Sequence, residues 1–212
     1  MDPSPPDLAD DDTSEPLSRR DLRPIVLLAL ADHFTCTKLR GDLIERGRDA
    51  ACVISVAAAI VLSAPTMLAR ASVFVVEDST ISPQDRNALT WIRALDPLRG
   101  IVLIAGGVDA AGDDKELWDG VLTRPVVANE LCEVVGALAD RAAGPDVTSR
   151  LAARRAPAGF ELRVGFPWPM VRCTRCSATR HCEAPRDAVE QGIVIAALVT
   201  FGLAHASCHA RS

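Results

Sequence analysis

At 212 residues the chain is long enough for one large domain or two small ones; 49% of it is hydrophobic, only 4% aromatic, and Tyr is absent, so any core must be built from Val, Leu, Ile and Ala. The net charge of −5 is uneven: residues 1–23 carry three Arg against seven acids, 24–144 eleven basic groups against sixteen acids, and 145–212 nine Arg against five acids. An acidic front joined to a modestly basic tail argues for two modules with different partners. The start is acidic and lacks the basic, then apolar, pattern of a secretion signal. The longest apolar runs, 50–62 and 192–204, fall short of the ~20 residues that span a bilayer, so a cytoplasmic protein is expected.

Residues 1–22, with Pro3, Pro5, Pro6, Pro16 and the run Asp10-Asp11-Asp12, read as a disordered acidic tail. A first strand is expected over Ile25–Leu30, then a helix over Cys36–Arg46 capped by Thr35, with Cys36, Leu39, Leu43 and Ile44 inward and Gly47 ending it. Ala51–Ile54 reads as a second strand. Val56–Leu62 fits either its continuation or a helix, and Thr66–Arg70 fits a short helix after Pro65. Ser72-Val73-Phe74-Val75-Val76-Glu77-Asp78 is the central stretch: apolar on both faces, hence a strand buried on both sides, with two carboxylates at its C-terminal end. Ser82-Pro83 opens a helix to about Leu95. Ile101–Ala105 and Val121–Thr123 are further strands, separated by a polar, Gly-rich stretch with at most a weak helix near Lys115–Trp118. After Pro125 comes a helix with Leu131, Val134, Val135 and Leu138 on one face. Five strands alternating with helices predict an α/β fold, a five-stranded doubly wound parallel sheet.

Residues 144–159 read as a linker, and 160–212 as a small α+β module. Phe160–Val164 fits a strand, and Phe166-Pro167-Trp168-Pro169 an extended segment. Asp187 and Glu190 fit a capping pair for an almost wholly apolar helix to about His209, which must be buried against the sheet or a partner. Cys36, Cys52 and Cys132 read as small buried hydrophobes. The other four Cys crowd the tail. Two Cys two residues apart make a tight knuckle, and His205, Cys208 and His209 share a helix face. A knuckle plus a pair from a helix is a structural zinc pattern. Cys173, Cys176, His205 and Cys208 are the preferred ligands, with His181, Cys182 and His209 as substitutes. The module resembles zinc ribbons and treble clefs in general.

The strand–helix order, the acid after the third strand, Gly120-Val-Leu-Thr-Arg-Pro-Val and Asn129-Glu130-Leu131 together resemble the receiver domain of bacterial response regulators over about Arg23–Arg141, which sets residues 23–143 apart as a receiver-like, flavodoxin-like domain. The resemblance implies two-component signalling, a phosphorelay role and a required set of parts. An acidic pair after the first strand holds Mg²⁺. An Asp after the third accepts the phosphoryl group, and a hydroxyl and a Lys read it. Here the acidic pair falls on Ala31-Asp32 or, with a two-residue slip, on Ala29-Leu30. The acceptor position falls on Glu77, the hydroxyl on Ala105, and the Lys-Pro on Arg124-Pro125. Glu is a methylene too long for in-line transfer, and Arg lacks the compact ammonium.

A degenerate, non-phosphorylated receiver is therefore expected, acting as a protein-interaction scaffold with a structural Zn²⁺, not an enzyme, with a protein partner or a second copy of itself. A Glu77–Arg124 pair would imitate the switched-on state. The alternative is a phosphorylatable regulator, with Asp78 as acceptor and Mg²⁺ bound. Its zinc module would bind DNA through Arg163, Arg172, Arg175 and Arg180.

Overall fold

A computed structural model describes residues 24–62, 65–107, 114–143, 156–163, 169–183 and 188–208. The acidic tail, most of the expected linker, Phe166-Pro167-Trp168, Asp187 and His209 lie outside these residues.

Short apolar runs form β1 (Ile25–Ala29), β2 (Asp49–Cys52), β3 (Ala71–Glu77), β4 (Gly100–Ala105) and β5 (Gly120–Thr123). All neighbouring pairs are parallel, in the order β2-β1-β3-β4-β5. This is the flavodoxin-like doubly wound order that the receiver resemblance implies. β3 lies in the middle and all seven of its residues are buried. Each fully buried Val or Phe of such a strand contributes about 1.5–3 kcal/mol. Successive side chains point to opposite layers. Val73 and Val75 face one core with Val26, Leu28, Val102 and Ile104, while Phe74 and Val76 face the other with Leu27, Ile101 and Leu103.

On the first layer lie α1 (His33–Glu45) and α5 (Ala128–Ala143), which bury Cys36, Leu39, Leu43, Leu131, Val135 and Leu138. α1 starts earlier than its sequence suggests. Its cap is Asp32, whose carboxylate accepts from Phe34 N, Thr35 N and Thr35 Oγ1, so Thr35 is a donor and not the cap. Gly47, at φ +77°, closes the helix by donating to Ile44 O, a left-handed geometry that suits Gly. Ile44 itself points outward, 46% exposed.

The second layer holds α2 (Val56–Leu62), α3 (Pro65–Arg70) and α4 (Pro83–Leu95). α4 opens with a full capping box, Ser82 with Asp85, and Pro at its start. Asp85 is buried and also accepts from Ala57 N at 2.9 Å, which ties α4 to α2. Between β4 and β5 the described chain has only a 3₁₀ turn over 114–117, and Leu117 and Trp118 fill the core there.

The C-terminal part packs on the second layer too. α6 (Ala188–His205) places Val194, Ile195, Leu198 and Val199 in the same core as Phe74 and Leu103. Ile193 stays 43% exposed, so this helix is less completely covered than its composition suggests. β6 (Phe160–Arg163), β7 (Met170–Cys173) and β8 (Thr179–His181) form an antiparallel sheet in that order. Only the first of these strands is foreseeable from the sequence.

One expectation is overturned outright. Cys36 and Cys52 form a disulfide with Cα atoms 6.1 Å apart, and Cys52 is exposed rather than buried. The parallel register that sets Cys52 beside Leu28 brings the end of β2 to the first turn of α1.

Candidate functional site

The strand order reverses between β1 and β3, which opens a crevice at the C-terminal edge of the sheet. Glu77 is the last residue of β3 and pairs with Ile104; Ala105 ends β4 opposite Thr123. Asp78 opens a 3₁₀ turn, Asp78–Thr80. Arg124 follows β5 and reaches back across the rim, and its peptide bond to Pro125 is cis.

One guanidinium nitrogen of Arg124 lies 2.5 Å from Glu77 Oε1 and 2.7 Å from Asp78 Oδ1, and it also donates to Ser79 Oγ at 3.2 Å. The second oxygen of each carboxylate is occupied as well. Glu77 Oε2 accepts from Ala31 N at 2.6 Å, and Asp78 Oδ2 accepts from Gly106 N at 2.8 Å. Glu77 is buried, with its side chain 11% exposed, and Asp78 is more open at 26%. The rim is therefore a closed clamp in which two carboxylates share one cation. The involvement of Ser79 and of the Ala31 and Gly106 amides was not foreseen. Backbone donors and a turn hydroxyl leave no pattern in a sequence.

Asp32, at the expected metal-binding acid position, is committed to α1. The Thr35 hydroxyl first, then the Thr35 N–H, and with them the Phe34 N–H hold its carboxyl below the usual range. Among the described residues Asp32, Glu77 and Asp78 do not converge as a metal-ready group; the one such group is elsewhere. Hard Mg²⁺ needs free carboxylate oxygens around one point, and this rim does not fit it. The switch position, Ala105, is fully buried and offers no hydroxyl.

The second site is in the tail. Cys173 ends β7 and the turn that follows carries Cys176. This turn is pinned by Ser177 N donating to Cys173 O and Cys173 N donating to Ala178 O, both at 2.9 Å, with Ser177 at φ +60°. α6 ends at His205, and the following 3₁₀ turn carries Cys208. The ligand atoms of Cys173, Cys176, His205 and Cys208 all lie within 4.8 Å of one another, a Cys₃His cluster that could hold a metal ion. His205 Nδ1 is 3.3 Å from Cys176 Sγ and 3.7 Å from Cys208 Sγ. Ligands on a tetrahedral zinc stand roughly 3.5–3.8 Å apart, given Zn–S and Zn–N bond lengths of about 2.3 and 2.0 Å, so the residues fit that ion. Burial, then the neighbouring Cys176 and Cys173 sulfurs, push the Cys208 thiol up from its ordinary range. A bound cation reverses that bias by favouring thiolates. The imidazole is held by stacking. Phe201 lies 4.4 Å from His205 between ring centroids, Phe160 lies 6.4 Å from Phe201, and Trp91 lies 4.9 Å from Phe160. An aromatic chain thus links α4 to the Cys/His cluster. Of the substitute ligands, His181 and Cys182 lie outside the cluster, and burial raises the Cys182 thiol.

No protein-family model matches the chain, and no curated protein matches it. Solved structures similar to it include response regulator receiver proteins. The response regulator receiver protein from Sinorhizobium medicae is 23% identical, over 57% of this chain and 97% of that one, at a TM-score of 0.47. The Francisella response regulator 1452 receiver domain is 16% identical, over 56% and 98%, at 0.45. A response regulator from Thermotoga maritima is 16% identical, over 56% and 98%, at 0.44. At such scores the fold rests on the strand order above. Among the described residues no helix is long and apolar enough to cross a membrane.

Proposed function

We propose that the chain is a regulatory protein whose receiver-like half no longer transfers phosphate and serves as a protein-interaction scaffold, and whose tail is held by structural zinc. The observation that carries the first half is the clamp. Both carboxylates at the end of β3 have each oxygen already engaged by Arg124 or a backbone amide. A nucleophile so engaged is a poor phosphoryl acceptor, and Ala105 cannot read a phosphate. The clamp fixes a negative charge against a cation where a phosphorylated receiver would make one transiently, so the rim keeps one conformation without a signal. In this reading the chain is not an enzyme. Its partner is another protein, with a second copy of itself among the candidates.

The zinc half is supported by ligand type and spacing. Three thiolates and one imidazole leave no open position, which suits a structural role over a catalytic one. Cysteines held outside any disulfide suit a reducing, cytoplasmic setting, whereas the Cys36–Cys52 bond needs an oxidant to form. Metal analysis of the purified chain is expected to find one zinc ion per chain, lost in a Cys176→Ser variant. A metal-free wild-type chain that keeps its α6 packing would refute this half.

One observation favours DNA as a second reading. Arg163, Arg172, Arg175 and Arg180 are all exposed on or beside the β6–β8 sheet. Phosphate contacts by these residues would show as DNA binding that weakens steeply with salt.

A further inference from the structure

The Cys36–Cys52 disulfide joins the first turn of α1 to the last residue of β2. Its two ends are unequally open. Cys36 is 2% exposed, whereas Cys52 is an exposed residue. The bond therefore runs from core to surface, with its Cys52 end outermost. The other five cysteines are in no disulfide, so a single oxidised pair stands among reduced thiols. The surroundings of the bond are complete without it. Leu28 O accepts from Val53 N at 2.8 Å, and its second lone pair is left for Cys36, whose Sγ lies 3.7 Å away. A thiol at Cys36 thus has an acceptor where it stands, which removes the cost of burying an unpaired donor. β2 is held by other means as well. It pairs with β1 along its whole length, Arg40 donates to Ala50 O at 3.0 Å, and Arg70 pairs with Asp49 at 2.9 Å. α1 keeps Leu39 and Leu43 buried. Opening the bond leaves both elements anchored.

We infer that Cys52 is a site of reversible thiol–disulfide exchange with a low-molecular-weight thiol of the glutathione class. A thiolate attacks Cys52 Sγ, the bond to Cys36 breaks, and Cys36 leaves as a thiolate that takes up a proton and donates to Leu28 O. A second thiolate then attacks the small molecule's own sulfur in the mixed disulfide. The small-molecule disulfide departs, and Cys52 is left as a thiolate. Two small thiols are thereby oxidised as the protein disulfide is reduced, and the reverse steps, driven by the small-molecule disulfide, close the bond again. The part released is the corner after β2, where Ile54 is 94% exposed. The exchange uses neither the clamp nor the Cys/His cluster and is independent of the signalling reading.

The test is incubation of the oxidised full chain with millimolar reduced glutathione, then an acid quench, alkylation under denaturing conditions and peptide mass analysis. Alkylated thiols are expected to rise from five to seven per chain. A transient glutathione adduct should map to Cys52 and none to Cys36. Oxidised glutathione should then restore the bond. Given oxidised glutathione, Cys36→Ser should hold a lasting adduct at Cys52, and Cys52→Ser should be modified at Cys36 about tenfold more slowly. Should either variant fail to fold, the wild-type mapping still decides. A bond that resists millimolar glutathione, an adduct at Cys36 in place of Cys52, or loss of amide dispersion when the bond is reduced would each overturn the inference.

Discussion

Removing the Arg124 guanidinium should expose how much the rim depends on it. In Arg124→Ala, Glu77 keeps only the Ala31 amide and Asp78 only the Gly106 amide. Breaking a fully buried pair by deleting one partner costs about 3–5 kcal/mol. Arg124 is 41% exposed, however, and exposed pairs are worth about 0–1 kcal/mol. The Glu77 end is the buried one, so an intermediate loss of about 1.5–2 kcal/mol is expected. For a chain of this size that lowers the melting temperature by roughly 3–8 °C. The variants for a cycle are Arg124→Ala, Glu77→Gln and the double variant, followed by urea unfolding at neutral pH. Glu77→Gln keeps the shape and the Ala31 contact but removes the charge. The double variant should lose less than the sum of the singles, with a coupling of about 1 kcal/mol. Additive losses would mean that Arg124 and Glu77 are independent surface charges, and the clamp would then have no energetic content.

Other positions give further tests. Asp119 accepts from Arg141 at 2.8 Å, from Ile101 N at 2.8 Å and from Arg93. Burial alone would raise its carboxyl, but the hydrogen bonds from Arg93, Arg141 and Ile101 outweigh it and hold it below its reference value of 3.8. A depressed carboxyl adds stability above its unfolded value and loses it as the pH falls through the folded one. Asp119→Asn should therefore be less stable than wild type at neutral pH, by about 1–2 kcal/mol, with the gap closing below about pH 4; a gap constant with pH would contradict this. Gly202 on α6 faces the buried Trp91 indole so closely that a methyl group there would overlap it. Gly202→Ala should cost about 1–3 kcal/mol despite the better helix propensity, read as a lower melting temperature and changed Trp fluorescence. The Cys36–Cys52 bond closes a loop with a sequence separation of 16, so Cys52→Ser should cost about 3 kcal/mol, measured by urea unfolding with and without reductant.

The sheet was legible because its strands are short runs apolar on both faces, and Ser82-Pro83 announced α4 through the chemistry of a capping box. Glu77 and Arg124 could be placed on one rim because parallel strands align their C-terminal ends. What escaped has physical reasons. Asp32 has the right type for a metal ligand, but a carboxylate just before a helix is equally a cap, and local hydrogen bonds won. β8 carries Thr, Arg and His, all exposed, so it lacks the apolar alternation that marks a strand; β7 does alternate, with Val171 and Cys173 inward and Arg172 outward, but over only four residues. Cys36 and Cys52 sit on different elements, and only the β1–β2 register makes them neighbours. Ile44 reads as core by its helical spacing and Ile193 by its apolar helix, yet each stays largely exposed. The Cys/His grouping was legible because a two-residue Cys spacing and a three-residue His/Cys spacing are local geometry; what turns the one towards the other is the packing of α6 on α3 and α4, which the spacing does not encode.

The loss of phosphoryl chemistry is tested most directly by intact-mass analysis of the full chain after incubation with acetyl phosphate and Mg²⁺. The clamp predicts an unchanged mass. An adduct of one phosphoryl group, absent from an Asp78→Asn variant, would contradict it.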